Sequence, residues 1–119
     1  MGTNNMKITK QVWSSGSITA DANSSAFSME DFTGLFFSTL HTGTLTGTVV
    51  LQGSVTEGGT FVTLKDSGGT NITLATLAGA TATFTQTVDA VFAPWVRIAY
   101  VDTSGTGTIV VTATLTRQD

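Results

Sequence analysis

TIVVTATLTR, residues 108–117, decides the class of fold. Ile109, Val111, Ala113 and Leu115 leave one side of an extended chain, and Thr108, Val110, Thr112, Thr114 and Thr116 leave the other. Successive side chains of a strand point to opposite faces, so this pattern is a half-buried strand of an antiparallel sheet, apolar inside and threonine-rich outside. Thr48–Val55 follows the same rule, with Val49, Leu51, Gly53 and Val55 on the inner face. Gly34–Leu40 divides into Leu35, Phe37 and Thr39 on one face and Phe36, Ser38 and Leu40 on the other.

Working outward, Lys7–Trp13 with Ser17–Ala20 reads as a first, interrupted strand. Ala26–Met29, Thr60–Leu64, Asn71–Leu74, Ala80–Val88 and Trp95–Val101 complete the series. Threonine dominates the composition, and β-branched residues favour strands. The best helical candidate, Ser28–Asp31, is short. Turn chemistry separates the strands. Glu57-Gly58-Gly59 reads as a tight hairpin, Asp66-Ser67-Gly68-Gly69 as a second turn, and Asp102–Gly107 as the link between the last two strands. Pro94 stands at a strand start, where a missing N–H is tolerated. Thr46–Val55 (TGTVVLQGSV) and Thr106–Leu115 (TGTIVVTATL) are alike, as expected of equivalent places in two sheets.

Roughly eight to nine short strands and no helix predict an all-β fold, an antiparallel β-sandwich of jelly-roll type, with a small closed barrel as the alternative. The 119 residues suit one domain, expected over residues 6–119 behind a flexible polar arm, Met1–Asn5.

Composition narrows the function. The chain has no cysteine, which excludes disulfides and thiolate metal sites and fits a reducing cytoplasm. Met1–Lys10 lacks the apolar core of a signal peptide, and no apolar run spans a bilayer, so no membrane is expected. Charged residues make up only 11% of the chain, net charge is −3, and the basic residues Lys7, Lys10, Lys65, Arg97 and Arg117 are dispersed. Nucleic-acid binding is therefore not expected, because it rests on neutralising phosphates. So weakly charged a surface, with positive mean hydropathy (+0.24), points to association and a homo-oligomer.

No catalytic or cofactor site is expected. His41, the one histidine, stands at a strand end without an acidic neighbour in sequence and reads as a loop residue. Glu30 and Asp31 are adjacent and diverge in a strand, and the other acids fall mostly in turns, so no glycosidase pair is apparent. Asp66–Asn71 carries oxygen ligands but lacks the spacing of a calcium loop, and no metal site is assigned. Trp13 and Trp95 could form an aromatic platform for a sugar, although core positions suit them too. Phe36 and Phe37 are adjacent, so one of them must leave the core face and be exposed or covered by a partner. Phe36, Phe37, Trp13, Lys7 and Lys10 are the candidate interface residues.

Two segments carry a family resemblance. GTVVLQGSVTEGGTFVTL (Gly47–Leu64) and PWVRIAYVDTSGTGTIVVTATLT (Pro94–Thr116) resemble, in order and spacing, a strand–turn–aromatic–strand unit and a closing hairpin of small β-sandwich structural proteins of tailed bacteriophages. Where that family often has Asn-Asp-Gly and then Trp, this chain has Thr56-Glu57-Gly58-Gly59 and Phe61. The resemblance implies a non-enzymatic virion component made in the host cytoplasm, a capsid decoration or auxiliary protein whose partners are capsid or other virion proteins. A carbohydrate- or host-receptor-binding module is the alternative.

Overall fold

The computed structural model describes residues 5–29, 32–88, 91 and 93–118. Ten strands and no helix run through them: β1 (Asn5–Ser14), β2 (Ala22–Asn23), β3 (Phe27–Ser28), β4 (Gly34–Gly43), β5 (Thr46–Ser54), β6 (Val62–Thr63), β7 (Thr73–Ala78), β8 (Ala82–Val88), β9 (Trp95–Ser104) and β10 (Gly107–Gln118). All pairings are antiparallel. One sheet has the order β1-β10-β4-β8. In the second, β9 and β5 are central, β2 and β3 both pair with β9, and β6 and β7 both pair with β5. The two sheets bury their facing surfaces against each other, which is the expected sandwich.

The alternation read from the sequence sets the core. Ile109, Val111, Ala113 and Leu115 are buried, as are Leu35, Phe37, Val49, Leu51, Val96, Ile98 and Tyr100. β10 and β5, the two strands alike in sequence, are central strands of opposite sheets. Val55 departs from the expected inner face: β5 ends at Ser54, and Val55 is 81% exposed in the turn.

Several boundaries differ from expectation. Of Ser17–Ala20 only Ile18 forms a bridge, to Gly107, and two-residue β2 appears where no strand was read. β7 extends through Ala75–Ala78, where alanines carry little strand propensity but Leu74, Ala75 and Leu77 pack into the core. Ser28 lies in β3, while Glu30 and Asp31 lie outside the described residues, as do Met1–Asn4 of the expected arm; Asn5 opens β1.

The main correction concerns connectivity. Glu57-Gly58-Gly59 does close a hairpin, between β5 and β6. Asp102–Gly107 does not: β9 and β10 belong to different sheets, so this link is an arch across the sandwich rather than a closing hairpin. A hairpin would have put both apolar faces on one side of a single sheet, whereas the arch turns them toward each other. The links β1–β2, β4–β5 and β7–β8 also cross between sheets at this end.

Two of these arches are stacked. The Thr44 N–H donates to Thr106 O at 2.8 Å, and the Thr106 N–H donates to Thr44 Oγ1 at 3.2 Å. Gly105 turns there with φ +94°, and Gly107 faces Gly43 at the first rung of the β10–β4 ladder. Tyr100 closes the same end. Its hydroxyl lies 3.0 Å from Thr46 O and 2.9 Å from Asp102 Oδ1, the two acceptors open to it. Burial and then the Asp102 carboxylate push its pKa up to about 12.

Candidate functional site

The ladder registers define the outer surface of the four-stranded sheet row by row. Thr9, Thr114, Phe36 and Thr87 form one row across β1, β10, β4 and β8. Gln11, Thr112, Ser38 and Thr85 form the next, and Ser14, Val110, Leu40 and Thr83 a third. Hydroxyls of neighbouring strands meet within this surface: Thr9 and Thr114 at 2.8 Å, Thr42 and Thr108 at 2.6 Å. Such cross-strand pairs stabilise the sheet.

Phe36 and Leu40 stand at its centre, on the same face of β4, each 42% exposed. Four residues of extended chain place them about 13 Å apart. Lys7, opposite Thr116 at the β1 edge, is the charged side chain of this surface among the described residues. The arrangement offers two apolar anchors in a field of hydroxyls with little charge to desolvate, which suits burial against another protein surface.

The structure separates the five sequence-predicted interface residues. Phe36 and Lys7 share the outer face. Phe37 is 0% exposed and Trp13 is 9% exposed, both in the core of this chain. Lys10 sits opposite Ala113, on the other face of β1 from Lys7, and lays its ammonium 5.6 Å from the centre of the Phe27 ring. Leu40 was absent from that set, although the alternation of Gly34–Leu40 already places it on the face of Phe36.

His41 is not the loop residue expected from the sequence. β4 continues to Gly43, and His41 falls on the inner face after Leu35, Phe37 and Thr39. It is 0% exposed, and its ring stacks on Phe84 at 5.9 Å. Among the described residues neither ring nitrogen has a hydrogen-bond partner. Burial holds its pKa below the usual 6.5. Protons therefore bind the unfolded chain before the folded one. Stability is complete above pH 6.5 and falls, by up to about 1.4 kcal/mol per pH unit, as pH drops from there through the folded pKa. His41→Leu is expected to flatten this slope and to raise stability at pH 7 by about 1 kcal/mol, because apolar atoms replace two unpartnered nitrogens. Urea unfolding at pH 5, 6 and 7 checks both effects; an unchanged slope would remove His41 as its source.

Other candidate chemistry is dispersed. The Asp66 carboxylate accepts from the Gly68 and Thr70 N–H groups at 2.9 and 3.0 Å, so it organises its own turn. Among the described residues no group of three His, Cys, Asp or Glu could hold a metal. Trp13 and Trp95 lie on different sheets, with Trp13 turned inward, and do not form a platform. On the outer face of the second sheet Arg97 lies 4.6 Å from the centre of the Phe61 ring and donates from Nε to Gln52 Oε1 at 2.8 Å. Among the described residues no helix is long and apolar enough to cross a membrane.

A second surface feature is a groove of about 610 Å³ at the β8 edge, between Gln86, Thr87 and Val88 and the β6–β7 loop with Lys65, Asp66 and Asn71. Lys65 Nζ donates to Asn71 Oδ1 there at 2.6 Å.

No family model matches the chain, and no curated protein matches it. Among solved structures it is similar to the SPBc2 prophage-derived protein YomS, with a TM-score of 0.56, 16% identity, and 95% of each chain covered. At that identity the likeness is one of fold. Bacillus endospore appendages (TM-score 0.39, 18% identity, covering 97% of this chain and 88% of that one) and infectious bursal disease virus strain Gx (TM-score 0.42, 12% identity, covering 98% and 33%) are looser matches.

Proposed function

We propose that this chain is a non-enzymatic structural protein of a bacteriophage virion, a capsid decoration or auxiliary protein that binds the capsid in many copies through the outer face of its four-stranded sheet. The observation that carries the reading is that face: threonine rows with Phe36 and Leu40 exposed at the centre and almost no charge. Its partners are capsid or other virion proteins, neither nucleic acid nor membrane, and its place is the virion after synthesis in the host cytoplasm. The prophage origin of a protein sharing its fold supports the phage setting. The strand orders β1-β10-β4-β8 and β2/β3-β9-β5-β6/β7, with the chain passing repeatedly between sheets, support reading the sandwich as a jelly roll.

The mechanism is shape-complementary burial of Phe36 and Leu40 with the surrounding hydroxyls pairing across the contact. Full burial of a large apolar side chain contributes about 1.5–3 kcal/mol, so one site is weak and repetition over a particle makes occupancy stable. Phe36→Asp is expected to weaken particle binding at least thirtyfold, about 2 kcal/mol, while leaving the fold intact. Mass spectrometry and electron microscopy of purified particles, with wild type and variant, measure this. Absence of the wild-type chain from intact virions would end the proposal. A carbohydrate-binding reading would have to stand on half-buried Trp95 alone.

A further inference from the structure

We propose that β8 is the self-association edge of this protein, and that two copies join β8 to β8 antiparallel about a two-fold axis at Thr85, making their four-stranded sheets one continuous sheet. This deepens the homo-oligomeric part of the proposed function. Its test needs no particle, so the two can fail separately.

The argument starts from the edges of the sheets. Among the described residues β8 is the last strand of its sheet and pairs on one side only, with β4. An edge strand presents unpaired N–H and C=O groups along its open side, and folded proteins usually defend it with lysine, proline, a bulge or shortness. The other edges carry such defences. β1 has Lys7 and Lys10 and a register shift between Gln11 and Trp13. β2, β3 and β6 are two residues long. β7 has a register shift against β5 between Val49 and Val50. β8, ATFTQTV, is seven residues long and has no charge, proline or glycine. Its ladder with β4 runs from Val88 to Ala82 without a shift.

The composition of β8 also selects its occupant. About a two-fold at Thr85, Thr83 faces Thr87 of the second copy, and Thr85 faces its own equivalent. Phe84 faces Gln86. The strand thus pairs threonine with threonine on its outer face, the contact this sheet already makes between Thr9 and Thr114 and between Thr42 and Thr108. No charge opposes another, and the interface closes on itself, as two-fold contacts do. Joining β8 to β1 of a second copy would instead meet two lysines and a broken ladder, in a head-to-tail contact that leaves an open edge at each end unless it closes into a ring. Toward its C-terminal end the β8 edge borders a groove, with Gln86, Thr87 and Val88 on one side and Lys65, Asp66 and Asn71 of the β6–β7 loop on the other.

Sedimentation velocity at about 100 μM, well above the micromolar range of a modest interface, tests the proposal. Wild type is expected to run as a dimer. Thr85→Lys and Thr85→Glu each place like charges face to face and are expected to weaken the dimer at least tenfold, and their equimolar mixture to restore it. Because the chain has no cysteine, Thr85→Cys gives a second reading: oxidation should yield a disulfide-linked dimer, whereas Lys7→Cys on the other edge should not. Facing residues across the axis have Cα atoms about 4.5–5.5 Å apart, within disulfide reach. A monomeric wild type, a dimer unaffected by either charge, or equal cross-linking of the Thr85 and Lys7 variants would each overturn it.

Discussion

Gly107→Ala should cost this fold about 3–5 kcal/mol, a large share of the roughly 5–15 kcal/mol that stabilises a domain. The φ of Gly107 is not left-handed, so the penalty is not conformational. It arises because a Cβ there would overlap the Thr42 carbonyl oxygen and press on Leu45. Thr42 belongs to β4 and cannot retreat without breaking the start of the β10–β4 ladder, where Gly107 faces Gly43. Nor can the arch move alone, since Thr44 is hydrogen-bonded to Thr106 across it. Gly105→Ala should be at least as damaging, because its Cβ would meet Thr44 O and its φ of +94° adds about 1 kcal/mol or more of strain. Gly58→Ala is the control: nothing lies near its added atom, and the change should stay within about 0.5 kcal/mol. Urea midpoints of the three variants give the comparison. A Gly107→Ala midpoint matching that of Gly58→Ala would show that the arches are not interlocked.

Phe37→Ala and Phe36→Ala, adjacent and chemically identical changes, should have opposite consequences. Phe37 is fully enclosed, on the β4 rung between Ala113 and Gln86, and its truncation leaves a cavity in the sandwich core. The expected loss is about 3–5 kcal/mol, enough to shift a domain of this size down in melting temperature by well over ten degrees. Phe36 on the outer face should lose less than about 1 kcal/mol and keep its fold, while losing its contact with a partner. Calorimetry separates the two, and particle binding then reads only Phe36. Similar melting temperatures for both variants would mean that β4 does not present its faces as described.

Much of the fold was legible in the sequence, and the reason is local. A strand repeats every two residues, so the sides of Ile109, Val111, Ala113 and Leu115, or of Phe36 and Phe37, follow from the backbone alone. The Asp66 and Glu57-Gly58-Gly59 turns were legible on the same ground, since their chemistry acts over a few residues. The candidate site was half legible. Phe36 and Lys7 came from the sequence, whereas Phe37 and Trp13 entered the core. Leu40 had its face read correctly but was left out of the set, whereas His41 was misjudged because its role depends on where β4 stops, which is set by pairing with β10 and β8.

The sequence alone was enough for an all-β chain and for the inner and outer faces within Gly34–Leu40 and Thr108–Thr116, because alternation is a local property. Long-range pairing settled which sheet each strand joins, which strands lie at the edges, and that Thr108–Thr116, Phe36 and Leu40 form one surface. Alternation is the same whether a glycine-rich link folds back as a hairpin or crosses as an arch. Glu57-Gly58-Gly59 and Asp102–Gly107 look equivalent as turns, and their difference arises only when two apolar faces must be buried against each other.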